Sequence, residues 1–502
     1  MSDKEKKIIL PFSENEHLEI KRGLNGFPND AWETYSAFAN TEGGLIMLGF
    51  EELSQAEYQL VGVKNPEKII SDFTNALQNP SIVNRNILQK NGIKVDEIDG
   101  KKFISIMVPQ ATYSQRPIYL KGNMANSFKR IGANDYKLSE EEIKIMMRDA
   151  SPTSQDSTVI DDIEYKKALD ATTVRTYRQR FITRNPDHSF NSLTDEEFLI
   201  KIRAIEEKNG TLYPTLAGLL MLGSTTQIVK HLPYFLLEYI SYRGDSERWD
   251  DRVIYDGTWG EGNLYNFYMT VIPKLMGTAK NEFSLAKDGI TRNEYGDLQI
   301  ALREAFINSL IHADYRIDDR IQISCTNKAY IFSNPGSLRI SIEDFYAGKT
   351  SYPRNPSIAF MFRMIGLAEE AGSGVTAILK ATKSYRLPRP ELDTTDERVR
   401  LIIKTEPLLD VLTEQYNLSE REFLVLKAIN DFTYIKRTEI EKVTKLSRNI
   451  TLQTVNLLLQ KGLIKQIGKS SATKYTISEE HINRKEKTIS LLEQLLEFYK
   501  NE

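Results

Sequence analysis

At 502 residues the chain is too long for one hydrophobic core, and this bound constrains its fold more than any motif does. Single cores stop growing at roughly 250–300 residues, so length alone predicts about three domains. The hydrophobic fraction of 40% and charged fraction of 27% are those of a soluble globular chain. No apolar run approaches a membrane span. The start, MSDKEKKIILPF, is charged but lacks the apolar segment and small-residue cleavage site of a signal peptide. A single cysteine, Cys325, excludes an internal disulfide and a cysteine-based zinc site, and the five histidines are scattered. A reducing cytoplasm is the expected compartment. With a net charge of -3, any nucleic-acid surface must be a local patch.

Periodicity then places the elements. AWETYSAFAN carries Trp32, Tyr35, Phe38 and Ala39 at helical spacing, and GGLIMLGF reads as a buried strand behind paired glycines. KKFISIMVP alternates as a strand and stops at Pro109, and SEEEIKIMMRDA opens with the capping box Ser139/Glu142. SPTSQDST, Ser151 to Thr158, is polar and aperiodic, the clearest linker. Beyond it, TLAGLLMLG predicts a buried helix closed by Gly223, and YFLLEYISYRG a strand. The long helical pattern LQIALREAFINSLIHADY is followed by the strand patterns IQISCTN and AYIFSNPG. From Asn417 to Ser478 come three helical patterns, two of them opened by Ser419 and Ser447, then two strands around a Gly/Ser turn. That is the order of a winged helix.

Near the amino terminus, Glu14 and Glu19 flank a strand entry, and Glu51 and Glu52 end GGLIMLGF. Carboxylates at strand ends can converge on a divalent cation, though spacing alone describes ordinary solvated glutamates. ENEHLEIK, AFANTEGGLIMLGFEE, RPIY and NSFKRIGAN together resemble the Schlafen AlbA-2 domain. That family opens with E-S-x-x-x-E-F-K, has the core A-F-A-N-T-x-G-G-x-x-x-I-G-V-x-D, and carries a late R-x-G stretch. Several Schlafens resemble metal-dependent ribonucleases with three carboxylates, which the resemblance carries onto Glu14, Glu19 and Glu51. The chain departs in having Asn15 for the serine and a glutamate for the final aspartate. Gly43 and Gly44 suit a tight turn or close backbone approach, with Asn40 satisfying it. Lys121, Lys129 and Arg130 are phosphate-contact candidates, equally readable as a solvated basic face.

In the middle body, Glu304 and Asn308 stand four apart on one helix face. A carboxylate can deprotonate water, and an amide oxygen can ligate Mg²⁺ held by phosphates. Gly372-Ser373-Gly374 precedes a helical pattern, where exposed backbone N–H groups favour phosphate. The segments ALREAFINSLIHADYR, IFSNPGSL and RNPSIAFMFRMIGLAEEAGSGV, with the stretch from Arg243 to Leu264, resemble the divergent GHKL-type domain that follows AlbA-2 in bacteria. That resemblance implies ATP, with Glu304 as general base and Asn308 on Mg²⁺. The Asp-x-Gly-x-Gly adenine motif of active members reads Asn334-Pro335-Gly336 here. Asn both donates and accepts, so it does not select the adenine amino group as Asp does. His312 and Asp314 are expected to pack or cap.

In the tail, the third helix is the expected recognition helix. Its outer face is assigned Arg448, Asn449, Thr451, Gln453, Thr454 and Asn456, and its inner face Leu452, Val455, Leu458 and Leu459. Lys461, Lys465, Lys469 and Lys474 surround the wing. Such side chains read base edges and phosphates, although winged helices also serve as protein-interaction modules. The amphipathic KEKTISLLEQLLEFYK can pair with a second protomer or dock on its own domain.

The expected fold is therefore a multidomain α/β (α+β) chain. A Schlafen AlbA-2 head (1–150) and a helical connecting region (151–240) precede a GHKL-like α/β sandwich (241–407); a winged helix-turn-helix (415–478) and an amphipathic helix (479–502) follow. The whole resembles bacterial proteins described as transcriptional regulators, which implies DNA and nucleotide binding and a homo-oligomer. The alternative is a Mg- or Mn-dependent endoribonuclease acting on tRNA or other RNA, in defence against phage. The Asn334 substitution speaks against ATP hydrolysis.

Overall fold

The structure is a computed structural model and describes residues 9–10, 13–54, 57–242, 248–258, 260–279, 296–348, 351–368, 373–395, 397–432, 434–468 and 473–478. Three expectations lie outside these residues: the roles of Gly372 and Lys469, and the amphipathic helix at 479–502. The chain is mixed α/β and divides into two compact units, one ending at Pro152 and the other spanning Thr153–His481. Among the described residues no helix is long and apolar enough to cross a membrane.

In the first unit the apolar run after Gly43 forms the strand Gly44–Leu48, buried throughout. Successive side chains point to opposite faces. Leu45 and Met47 therefore join Leu18, Ile20, Phe50 and Phe103 in one cluster. Ile46 and Leu48 join Tyr35, Phe38, Phe73 and Val108 in another. A strand covered on both faces needs no polar alternation, hence the unbroken apolar run. It sits second in a four-stranded sheet ordered Leu18–Lys21, Gly44–Leu48, Lys101–Val108, Ile93–Ile98. The first pairing is parallel and the others antiparallel.

The AFANTEGG segment turns out to be a packing device. Asn40 Nδ2 donates to the carbonyls of Ile118 (2.9 Å) and Phe128 (3.0 Å), and its Oδ1 accepts from Ile118 N at 2.8 Å. One buried amide thus joins the helix Ala31–Asn40 to two later segments. A Cβ on Gly44 would lie 2.6 Å from the Phe38 ring, so only glycine fits there. The capping box Ser139/Glu142 forms as the sequence predicts.

The second unit is built on a six-stranded sheet, ordered Asp251–Tyr255, Leu237–Tyr242, Ile321–Thr326, Ala329–Pro335, Arg398–Lys404, Glu391–Thr394. Leu237–Tyr242 and Ile321–Thr326 run parallel, and every other neighbour is antiparallel. The helices Leu264–Thr278, Asp297–Ile311 and Ser373–Ser384 contribute Phe267, Leu302, Phe306 and Ile378 to its core. The expected break at 240/241 falls inside a strand, and the connecting helices share this core: Tyr177, Phe181 and Phe198 belong to it. The Tyr177 hydroxyl donates to the Met361 carbonyl at 2.7 Å, and Asn185 Nδ2 to that of Met364 at 2.9 Å. Nor is the polar stretch Ser151 to Thr158 a free linker throughout. Asp156 is fully buried, and its Oδ2 accepts from Ser357 N (2.6 Å) and Ile358 N (3.0 Å), capping the helix Pro356–Met364.

The tail has its own core of Leu426, Ile429, Ile440, Val455, Leu458, Leu463 and Tyr475. Helices Glu420–Asp431, Arg437–Thr444 and Arg448–Gln460 are followed by the antiparallel strands Ile464–Ile467 and Lys474–Ile477. Ile435 bridges to Tyr475 as a third strand position. The Ser419/Glu422 capping box forms, whereas Ser447 precedes its helix without a side-chain cap bond.

Candidate functional sites: head carboxylates, a middle cavity and the tail face

The three head carboxylates do not converge. Glu19 is buried, with one oxygen 2.7 Å from Lys21 Nζ and the other 2.7 Å from Arg130. Lys21 also meets Asp30 at 3.3 Å. Glu14 accepts from Ile20 N at 3.0 Å, and burial, then the Glu19 charge, raises its pKa. Glu51 instead reaches outward to Arg22 at 3.2 Å. The reason is strand alternation along Phe50–Ser54: Phe50 and Glu52 share one face and Glu51 takes the other. Glu52 is paired across the ladder with Tyr58, whose pKa is pushed up to about 12 by burial and then by the charges of Glu14, Glu52 and Glu19. The third carboxylate acting on Tyr58, beside Glu14 and Glu19, is therefore Glu52 and not Glu51. The signal was in the motif itself, since G-V-x-D counted from Gly49 ends on Glu52.

A three-carboxylate metal site does not fit this arrangement. Both Glu19 oxygens face cations, and among the described residues no three His, Cys, Asp or Glu side chains are placed to hold an ion. Arg130 does not lie on a solvated basic face either. Its guanidinium is buried, bonds the carbonyl of Asn15 and the carboxylates of Glu19 and Asp135, and lies over the Phe38 ring. Its donors are committed to the fold, so it is no phosphate contact. Neighbouring Lys129 is paired with Glu142.

In the second unit, Glu304, Asn308, Asn334 and Gly374 line one cavity of about 130 Å³, with Ile307, Phe332 and Leu401 among its apolar walls. Glu304 is buried and lies 3.3 Å from Arg303. The first turn of the helix Ser373–Ser384 comes directly against the Glu/Asn pair. A Cβ on Gly374 would stand 3.1 Å from both Asn308 Nδ2 and Glu304 Oε2. Glycine is thus what lets the first described turn of this helix approach the two polar side chains so closely. Asn334 is buried, and its Nδ2 donates to the Pro335 carbonyl at 3.2 Å. Gly336 turns the chain at φ 103° beneath Arg354, which bonds the Ser337 carbonyl at 2.9 Å. His312 also lines the cavity, and burial together with the nearby Arg339 guanidinium lowers its pKa to about 4. It is neutral at physiological pH.

These residues fit a nucleotide in kind. Apolar walls and one amide suit a base, while Asn308 beside a helix amino terminus suits a phosphate-bound Mg²⁺. The cavity's volume falls below the roughly 300–1,000 Å³ of small-molecule sites, so as it stands it holds part of a nucleotide rather than the whole.

On the tail, Arg448, Asn449, Gln453 and Asn456 are exposed as expected. Thr451 and Thr454 are buried instead, their hydroxyls bonded back to the carbonyls of Ser447 and Ile450. Lys461 is paired with Glu422 at 2.6 Å. Lys465 lies on the first hairpin strand, half-buried, and Lys474 is exposed on the second.

A nucleic-acid-related multidomain protein is the class these parts define. Residues 14–139 match the family described as Schlafen, AlbA_2. Residues 318–403 match "Putative ATP-dependent DNA helicase recG C-terminal", and residues 144–238 a domain of unknown function, DUF8451. The chain therefore carries a Schlafen AlbA-2 domain and, behind it, a RecG-type HATPase-like domain. No curated protein matches. Among solved structures, a Corynebacterium diphtheriae protein is 14% identical with a TM-score of 0.43, over 92% of this chain and 95% of that one. The "N-terminal Domain of Putative ATP-dependent DNA Helicase RecG-related Protein" of Nitrosomonas europaea is 27% identical with a TM-score of 0.19, over 25% of this chain and 85% of that one.

Proposed function

We propose that this protein is a regulator that binds duplex DNA through its tail, as a winged helix, and a nucleotide in its middle cavity. The observation that carries the reading is the outer face of the tail. The helix Arg448–Gln460 contains no carboxylate, presents Arg448, Asn449 and Gln453 to solvent, and is followed by a hairpin bearing exposed Lys474. Such a helix suits a major groove, and such a hairpin the adjoining phosphates. The nucleotide part rests on Asn308 and the amino terminus of Ser373–Ser384. Bound ATP with Mg²⁺ would supply the charge those groups complement.

The test is calorimetry and DNA binding on the intact chain. ATP with Mg²⁺ should bind, and Asn308→Ala should weaken it about tenfold, the effect of one lost charge-assisted contact. ATP should also shift the affinity for duplex DNA. No heat with ATP, ADP or GTP would reduce the middle body to a scaffold.

A ribonuclease reading would need Lys21 and Arg130 to release Glu19, and the one observation in its favour is that the charges of Glu14, Glu52 and Glu19 all act on Tyr58. Under that reading, Glu52→Gln abolishes cleavage of structured RNA and Glu51→Gln spares it. An intact protein that cleaves no RNA with any divalent ion leaves the regulator reading alone.

A further inference from the structure

The outer face of the tail's third helix has a composition that goes beyond a generic DNA surface. Asn449, Gln453, Asn456 and Gln460 are all exposed. Their spacings of 4, 3 and 4 residues put them in a single stripe along the helix Arg448–Gln460. No described side chain holds these amides in a hydrogen bond. The opposite side of the helix is the core side, with Thr451, Val455 and Leu458 buried. Arg448 projects to one flank of the stripe, at the helix amino terminus.

Charge is distributed in a matching way. Lys442, Lys445 and Arg448 are exposed and collect where the second helix hands over to the third. Lys445 makes that turn at φ 58°. The nearby acids are already engaged: Glu441 pairs with Arg437, and Glu439 accepts from Lys436 N. Cations at the entrance and uncharged amides along the face, with the exposed Leu457 among them, are the complement of a groove whose rims are phosphate and whose floor is base edges and thymine methyls. A carboxamide is the side chain whose paired donor and acceptor match adenine N7 and N6 in the major groove, whereas guanine is matched by Arg or Lys.

We infer that this helix selects adenine: Asn449 and Gln453, near the helix amino terminus, read A·T pairs in the major groove, with Asn456 behind them. Lys442, Lys445 and Arg448 hold the backbone and do not read sequence. This rests on the DNA-binding reading of the tail and specifies its substrate as A·T-rich duplex DNA.

The experiment measures the intact protein by fluorescence anisotropy, at one fixed salt concentration, against three short duplexes of equal length. One is A·T-rich, one is G·C-rich, and the third is the A·T duplex with 7-deazaadenine at each adenine. The last lacks the N7 acceptor but keeps the minor groove, so it separates major-groove reading from a response to minor-groove shape. The A·T duplex should bind on the order of tenfold tighter than the G·C duplex, and 7-deazaadenine should erase most of that gain. Asn449→Ala and Gln453→Ala should each cost about tenfold on the A·T duplex and much less on the G·C duplex, closing the gap between the two. Retained G·C binding, with an unchanged thermal unfolding profile, shows that each variant is folded. Equal affinity for A·T and G·C, or a preference that survives 7-deazaadenine or both substitutions, overturns the inference while sparing DNA binding. Failure to bind any duplex overturns the DNA-binding reading itself, and this inference with it.

Discussion

Removing the Asp156 carboxylate should loosen a helix two hundred residues away in sequence. Its Oδ2 is the acceptor for Ser357 N and Ile358 N, at 2.6 and 3.0 Å, in a fully buried setting. Losing a helix cap costs about 1 kcal/mol, and leaving a buried N–H without an acceptor about 1–3 kcal/mol. Water entering the space left by Asp156→Ala recovers part of this, so a net loss of about 2 kcal/mol is the working figure. In amide hydrogen exchange that corresponds to about thirtyfold less protection over Pro356–Met364, since about 1.4 kcal/mol is a factor of ten. Asp156→Asn keeps an acceptor for both amides and should retain most of the protection. Exchange in Asp156→Ala equal to that of the parent would refute the assignment of this residue as the cap.

Two further perturbations test a histidine held neutral and a buried cation. His312 is held neutral with a pKa near 4, below the unfolded value of about 6.5. The stability this contributes is complete above pH 6.5, and is lost as pH falls from about 6.5 to 4 because the unfolded chain binds the proton first. The loss is up to about 3 kcal/mol, and denaturant titrations of His312→Gln should lack this component of the pH slope. Arg130→Ala should destabilise the head by about 3 kcal/mol, because Asp135 and one oxygen of Glu19 lose a buried cation. Proteolysis confined to the head would report it, whereas a variant with intact head stability and weakened nucleic-acid binding would return Arg130 to the surface role.

Much of the fold was legible in local pattern. The unbroken apolar run Gly44–Leu48, the capping boxes at Ser139 and Ser419, and the glycine-closed helix Leu216–Leu222 all depend on residues close in sequence. What escaped depends on partners far along the chain. Asp156 sits in a stretch with every mark of a linker, and only the distant amides of Ser357 and Ile358 explain its burial. Arg130 looks like a basic surface residue until Glu19, Asp135 and Phe38 close around it. Thr451 and Thr454 read as polar, but a hydroxyl can satisfy itself on its own helix and then be buried. Glu51 and Glu52 differ for another reason. A strand's period of two separates adjacent glutamates as widely as possible, and a shift of one residue selects the wrong face.

Duplex DNA binding by the tail depends on its cationic margin. The direct measurement is the salt dependence of duplex affinity for the intact protein and for a variant with Lys445, Arg448 and Lys474 replaced by alanine. All three are exposed. Each phosphate contact contributes a slope of about -0.9 in log affinity against log salt, so the triple replacement should flatten the slope by about 3 and weaken binding to every sequence. An unchanged slope and affinity in that variant would contradict the account, because the DNA would then be held elsewhere.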